Sequence, residues 1–106
     1  YSSTNPAFIH HEAMQLIVDS GIEHLLIDTP SVDKEVDNGA LLSHNIFWQT
    51  DRVVRKSASI TEMVYVKNTI ADGNYLLNLQ FAPFENDASP SKPILYKLYD
   101  KETSKP

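Results

Sequence analysis

The chain has no cysteine, only three glycines and no long apolar run. Without cysteine it forms no disulfide, no thiolate metal site and no cysteine nucleophile, so a metal ion would need histidine and carboxylate ligands. No stretch approaches the roughly 20 apolar residues of a membrane-spanning helix, so we expect no membrane partner. Residues 1–6 lack the basic and apolar layout of a signal peptide, and we expect a cytoplasmic protein.

Positive charge is also scarce, because nine Lys and Arg stand against 14 Asp and Glu, for a formal net charge of −5. Such a chain has no electrostatic footprint for nucleic acid, so we expect no nucleic-acid partner. Hydrophobic residues make up 42% of its 106 residues, which indicates a folded globular segment. We expect a single domain over residues 1–99 and a disordered tail over residues 100–106.

The hydrophobic pattern predicts an α/β fold with a mixed sheet, one longer helix and one short helix. Apolar residues at helical spacing predict the longer helix over residues 7–20, with Gly21 as a left-handed C-terminal cap. A second apolar cluster predicts a helix of about two turns over residues 41–48. Alternating or aliphatic segments predict strands over residues 24–29, 60–66, 75–82 and 94–98.

The first predicted strand ends in a dense group of polar residues. Three aliphatic residues at 25–27 are typical of a strand covered on both faces, and Asp28 and Pro30 then end the regular ladder. Open α/β sheets bind ligands at this end of their strands, so Asp28 and Ser31 are candidates for lining a pocket. The alternative is a turn in which Asp28, Ser31 and Asp33 bond to nearby backbone N–H groups.

Glu62 lies on the more aliphatic face of the second predicted strand, residues 60–66. An ionised carboxylate there is costly unless a cation or several hydrogen-bond donors satisfy it. It is therefore a candidate metal ligand or acid/base group. The alternative is an edge strand on which Glu62 faces water, or a neighbouring Lys or Arg that neutralises it.

His44 lies inside the apolar cluster of the short predicted helix. Such a histidine is often a hydrogen-bonded core residue, and its 18-residue separation from Glu62 matches no local motif. A helix residue and a strand residue can nevertheless converge, and one imidazole plus one carboxylate make half of a zinc or manganese site. His10 and His11 point about 100° apart on a helix and His24 enters a strand, so we expect them outside the site.

Five segments carry a resemblance to a known family: residues 27–33, 41–44, 60–63, 73–79 and 87–95. In this order they resemble the C-terminal half of the cyclase family of metal-dependent hydrolases, to which bacterial kynurenine formamidase and isatin hydrolase belong. The Asp-Thr-Pro-Ser-Val-Asp string of the first segment is the most specific. The resemblance implies a swivelling β/β/α fold whose metal site draws on both halves of the protein.

The same resemblance implies that His44 and Glu62 are the second-half ligands of a divalent metal, Zn or Mn. The family's first-half motif, His-x-Gly-Thr-His-x-Asp, does not occur in the chain, and Met63 stands where the family commonly has Asn. We therefore expect the chain to work as a homo-oligomer or with the missing N-terminal half, and to be inactive alone. The family's catalytic His belongs to that half, so no catalytic residue is assigned here.

The implied activity is arylformamidase-like hydrolysis of a C–N amide bond, as in tryptophan catabolism. The small-molecule substrate would be an aryl formamide or a cyclic amide, such as N-formylkynurenine. The metal would lower the pKa of a bound water, which attacks as hydroxide, and polarise the amide carbonyl. The alternative is a non-catalytic α/β module of the same scaffold that pairs exposed strand edges with another chain.

Overall fold

The structure, a computed structural model, describes residues 4–99. Its helices and strands are α1 (His11–Asp19), β1 (His24–Leu26), α2 (Leu42–Trp48), β2 (Ser59–Thr61), β3 (Tyr75–Phe81) and β4 (Ser91–Lys97). They confirm the predicted α/β class with one longer and one shorter helix. The chain divides after Val66 into two units, and the single domain over residues 1–99 stays a prediction. The expected tail at residues 100–106 lies outside the described residues.

Helix α1 has a defined cap at each end. His10 precedes it with an extended backbone, and its Nδ1 accepts a hydrogen bond from the Glu12 N–H at 3.2 Å. The helix therefore begins later than predicted, because His10 occupies the capping position. Gly21 follows the helix at φ 82°, and its N–H donates to the Val18 carbonyl at 3.0 Å. This confirms the predicted left-handed C-terminal cap.

Helix α2 is short, and the side chain of Asp33, from the loop after β1, caps its first turn. Leu41 and Gln49, which flank it, are both left-handed, with φ 46° and 56°. The carboxylate of Asp33 accepts hydrogen bonds from the N–H groups of Ser43 and His44, at 2.8 and 3.0 Å. These two donors have no partner inside a helix, so Asp33 fixes the first turn of α2.

Strands β1 and β2 form a two-stranded parallel sheet in which each residue of β1 opposes one of β2. Backbone bonding continues past the regular ladder, because Ile27 N–H donates to the Thr61 carbonyl and Met63 N–H to the Thr29 carbonyl, at 2.9 and 2.8 Å. Met63 has a left-handed φ of 58°, which ends the extended conformation of β2. Both strands are therefore shorter than predicted, and Glu62 lies just beyond the end of β2.

The core of the first unit is small. Met14, Val32 and Phe47 are fully buried, and half-buried apolar side chains from α1, α2 and both strands pack around them. The aliphatic run at 25–27 is only half-buried, so the prediction that it is covered on both faces is wrong. Arg55 lies with its guanidinium 4.8 Å from the centre of the Phe47 ring and donates to the Phe47 carbonyl at 2.7 Å.

The second unit contains the antiparallel pair β3 and β4, in register from Tyr75 opposite Lys97 to Phe81 opposite Ser91. Strand β4 begins earlier than predicted, and Pro93 lies within it opposite Leu79. The parallel and antiparallel pairings of the predicted mixed sheet thus occur in two separate two-stranded sheets. Within residues 4–99, no helix has the length and apolar character needed to cross a membrane.

Candidate functional site

The candidate site lies where the carboxyl ends of β1 and β2 meet the first turn of α2. The segment 28–33 follows β1, Glu62 follows β2, and His44 stands in α2. Hydrogen bonds and ion pairs link these three pieces. The sequence predicts the strand-end position of the segment 28–33, whereas it places Glu62 within a strand, and the structure places Glu62 just after β2.

Asp33 holds His44 from one side of the imidazole ring. His44 Nδ1 lies 2.8 Å from Asp33 Oδ2, the same oxygen that accepts the His44 backbone N–H. The other oxygen, Oδ1, accepts the Ser43 N–H. The Asp33 side chain is only 7% exposed. Because this buried carboxylate accepts two backbone N–H groups, its orientation is fixed, and its short contact with Nδ1 orients the ring.

Glu62 faces the opposite nitrogen of the same ring. His44 Nε2 and Glu62 Oε2 are 3.4 Å apart, and the side chains are 20% and 29% exposed. Glu62 Oε2 also accepts the Val32 N–H at 2.9 Å. A separation of 3.4 Å is long for a hydrogen bond between a nitrogen and an oxygen, so the two atoms are close without being tightly bonded.

The spacing between these two atoms fits two ligands of one metal ion. Two ligand atoms about 2.1 Å from a zinc ion, at a tetrahedral angle, are about 3.4 Å apart. Asp33 bonds the other nitrogen of His44, so it does not reach the same ion. Within residues 4–99, no group of three or more His, Asp or Glu side chains is arranged to hold a metal. The described residues therefore bring together two candidate ligands, His44 and Glu62, without a third.

His44 and each of the two carboxylates beside it favour each other's charged forms. Glu62 raises the pKa of His44 most and Asp33 adds to the effect, whereas burial opposes it. Burial would raise the pKa of Asp33, but hydrogen bonds from the start of α2 and from the His44 ring lower it. Burial likewise opposes the lowering of the Glu62 pKa, which comes from His44, the Val32 N–H and the Ser31 side chain. Two carboxylates around one imidazole give a locally negative site that attracts a cation.

The predicted pocket residues have different surroundings. Ser31 Oγ accepts the Asp33 N–H at 3.1 Å, and the Ser31 side chain helps to lower the pKa of Glu62. The bond from the Asp33 N–H to Ser31 is one of the backbone bonds of the polar turn considered as the alternative, and Thr29 Oγ1 also donates to the Ser31 carbonyl at 2.8 Å. Asp28 is exposed. That either residue lines a substrate pocket stays a prediction.

Asp33 is the site residue that sequence reasoning missed. The sequence assigns it to a turn, and its N–H does close that turn on Ser31, while its carboxylate leaves the turn for a helix 11 residues further along the chain. The one available signal was an acidic residue directly after an apolar residue, Val32, which is buried. The other histidines lie elsewhere: His10 caps α1, and His24 Nδ1 is 2.8 Å from Ser59 Oγ.

No protein-family model, curated protein or solved structure matches the chain. The resemblance to the cyclase family is therefore carried by the sequence segments alone. A function for the chain has to be argued from the side chains at the carboxyl ends of β1 and β2.

Proposed function

We propose that this chain is part of a metal-dependent hydrolase of the cyclase family that cleaves the C–N bond of a small aryl formamide or cyclic amide. The observation that supports the proposal best is the 3.4 Å separation of His44 Nε2 and Glu62 Oε2. Asp33 contacts the other nitrogen of the His44 ring, and the Val32 N–H donates to Glu62 Oε2. A carboxylate on the second nitrogen of a histidine is the usual support of a histidine that binds a metal.

The chain's own residues would bind and orient the ion. A bound divalent ion, Zn or Mn, would lower the pKa of its bound water and polarise the amide carbonyl. His44 would offer the lone pair of a neutral nitrogen, and Glu62 would offer a negative charge that offsets part of the positive charge of the ion. Catalytic sites generally use three protein ligands and an open position, so the remaining ligands would come from outside the described residues. A second copy or an N-terminal half is the expected source.

The ligand pair is testable by paramagnetic broadening in NMR spectra, which detects even weak binding of Mn²⁺. We expect the amide signals of Val32, His44 and Glu62 to broaden first as Mn²⁺ is added to the 106-residue chain. His44→Ala and Glu62→Ala should each remove the effect, because each takes away one of two ligands. His24→Ala is the matched control, since His24 bonds Ser59 and lies outside the pair.

Two results would count against the metal proposal. One is broadening that leaves His44 and Glu62 untouched and centres on other acidic residues. The other is broadening at the pair that persists at full strength in both alanine variants. Either result would mean that the short distance between Nε2 and Oε2 has no role in binding a cation.

The reaction itself is tested with N-formylkynurenine and Zn²⁺ or Mn²⁺, by following the release of kynurenine. We expect no turnover from the chain alone, because two ligands do not make a catalytic site. Adding a polypeptide that carries the His-x-Gly-Thr-His-x-Asp motif of the family should produce activity, and His44→Ala should abolish it. Turnover by the isolated chain, or equal turnover by the His44→Ala assembly, would contradict the proposal.

A second candidate function is a non-catalytic module that acts by association. The observation that favours it is the number of exposed apolar side chains on β3 and β4, which are Leu76, Phe81, Leu95 and Tyr96. Sedimentation of the wild-type chain and of the His44→Ala and Glu62→Ala variants separates the two functions. Association that is equal in all three chains, together with no metal effect at the pair, would favour the second candidate.

A further inference from the structure

We propose that Asp33 is a positioning residue that selects the tautomer of His44, keeping the ring proton on Nδ1 so that Nε2 is free to bind a metal ion. The inference rests on the proposed function for what Nε2 binds. The choice of tautomer itself follows from the geometry of the metal-free chain. Asp33 would act through His44 and would not touch the ion.

Two carboxylates, Asp33 and Glu62, compete for the single proton of the neutral His44 ring. A neutral imidazole carries a single N–H, so it donates to one neighbour only. Asp33 Oδ2 lies 2.8 Å from Nδ1, whereas Glu62 Oε2 lies 3.4 Å from Nε2. Only the first distance is that of a good charge-assisted hydrogen bond. Glu62 Oε2 is in addition already bonded to the Val32 N–H. The proton is therefore expected on Nδ1.

The position of the Asp33 carboxylate is fixed independently of the ring. Its two oxygens accept the N–H groups of Ser43 and His44, which belong to the rigid first turn of α2. The ring of His44 also stacks on Trp48, with 5.7 Å between ring centres. Helix α2 thus fixes the Asp33 carboxylate, and the carboxylate orients the His44 ring. In this orientation Nε2 faces Glu62. This is the arrangement that fixes tautomers in metal-binding histidines.

A simple capping role is the competing explanation for Asp33, and the chain offers a matched control for it. Asp37 also accepts two backbone N–H groups, from Gly39 at Oδ1 and from Leu41 at Oδ2, both at 2.9 Å. These two bonds of Asp37 do not involve His44. Asp37→Asn therefore removes a capping carboxylate just before α2 while leaving the ring and its partner in place.

The test is the ¹⁵N chemical shifts of the His44 ring in metal-free protein, at a pH where the same spectra show the ring to be neutral. His44→Gln identifies which signals belong to it. We expect the Nδ1–H tautomer to dominate in the wild type and in Asp37→Asn. Asp33→Asn removes the negative charge and places an NH₂ donor against at least one N–H donor. The population of the Nε2–H tautomer should therefore rise.

A Zn²⁺ titration of the same proteins supplies the second readout. We expect Asp33→Asn to lower affinity by about 10- to 100-fold, and Asp37→Asn to leave it near the wild-type value. A dominant Nε2–H tautomer in the wild type overturns the inference, and this result needs no folded variant. An unchanged tautomer in folded Asp33→Asn also overturns it. The expected tautomers without Zn²⁺ binding at His44 would uphold the positioning role and reject the proposed function.

Discussion

The imidazole of His44 lies between two carboxylates that differ in every property that matters for function. Asp33 is almost fully buried and both its oxygens are occupied by donors of α2 and the ring. Glu62 is more exposed and stands further from the ring, at 3.4 Å. This asymmetry is consistent with the proposed roles, in which Asp33 orients the ring and Glu62 binds a cation. A metal-binding histidine binds the ion with one nitrogen and forms, with the other, a hydrogen bond that orients the ring.

The three groups also determine a pH dependence of stability in metal-free protein. The pKa of His44 is raised from 6.5, so its stabilising effect is complete below pH 6.5 and is lost as pH rises through the folded-state value. The pKa values of Asp33 and Glu62 are lowered from 3.8 and 4.5, so their effect is present above these values and is lost as pH falls. The trio therefore stabilises most between these limits.

Urea unfolding across this range, compared with His44→Gln, measures the effect. The three other histidines remain in both proteins, so their titration cancels in the difference. We expect the wild type to lose more free energy of unfolding than the variant between pH 6 and pH 9. Parallel curves for the two proteins over this interval would show that His44 is not held by its carboxylates.

At the scale of elements, the ends of α2 carry backbone strain. Gln49, directly after the helix, has a φ of 56°, a left-handed conformation that costs a residue with a Cβ about 1 kcal/mol and glycine almost nothing. We expect Gln49→Gly to raise the free energy of unfolding by about 0.5–1 kcal/mol. Ala13→Gly, at an exposed right-handed position of α1, is the control and should lower it by about 1 kcal/mol. Chemical denaturation measures both, and destabilisation by Gln49→Gly would refute this account of the helix end.

The elements show how far sequence reasoning reaches. Hydrophobic spacing located both helices, and Gly21 marked the end of α1, because these signals are local. The left-handed φ of Met63 shortens β2 and leaves Glu62 just beyond the strand. Neither methionine nor glutamate is a residue type that signals a left-handed turn. The bond from Asp33 to His44 was out of reach for the same reason, since a turn-forming Asp and a ring-holding Asp have the same local sequence.

At the scale of the whole molecule, the unit that contains the site has little buried apolar surface to stabilise it. Phe47 is fully buried on the helix that carries His44. We expect Phe47→Ala to cost about 3–5 kcal/mol, most of the stability of a small domain, and to abolish Mn²⁺ broadening at the ligand pair. Val53→Ala, at a side chain 85% exposed, should change stability by less than about 0.5 kcal/mol. Circular dichroism during thermal unfolding compares the two, and equal melting would show that Phe47 is not part of the core.

If His44 and Glu62 bind one metal ion, as proposed, anomalous X-ray scattering from crystals of the chain grown with Zn²⁺ or Mn²⁺ will locate the ion between them. We expect an anomalous peak about 2.1 Å from His44 Nε2 and about 2.1 Å from a Glu62 carboxylate oxygen, with Nδ1 still bonded to Asp33. An anomalous map with no peak between these two atoms at saturating metal, or with peaks only at other side chains, would contradict the claim.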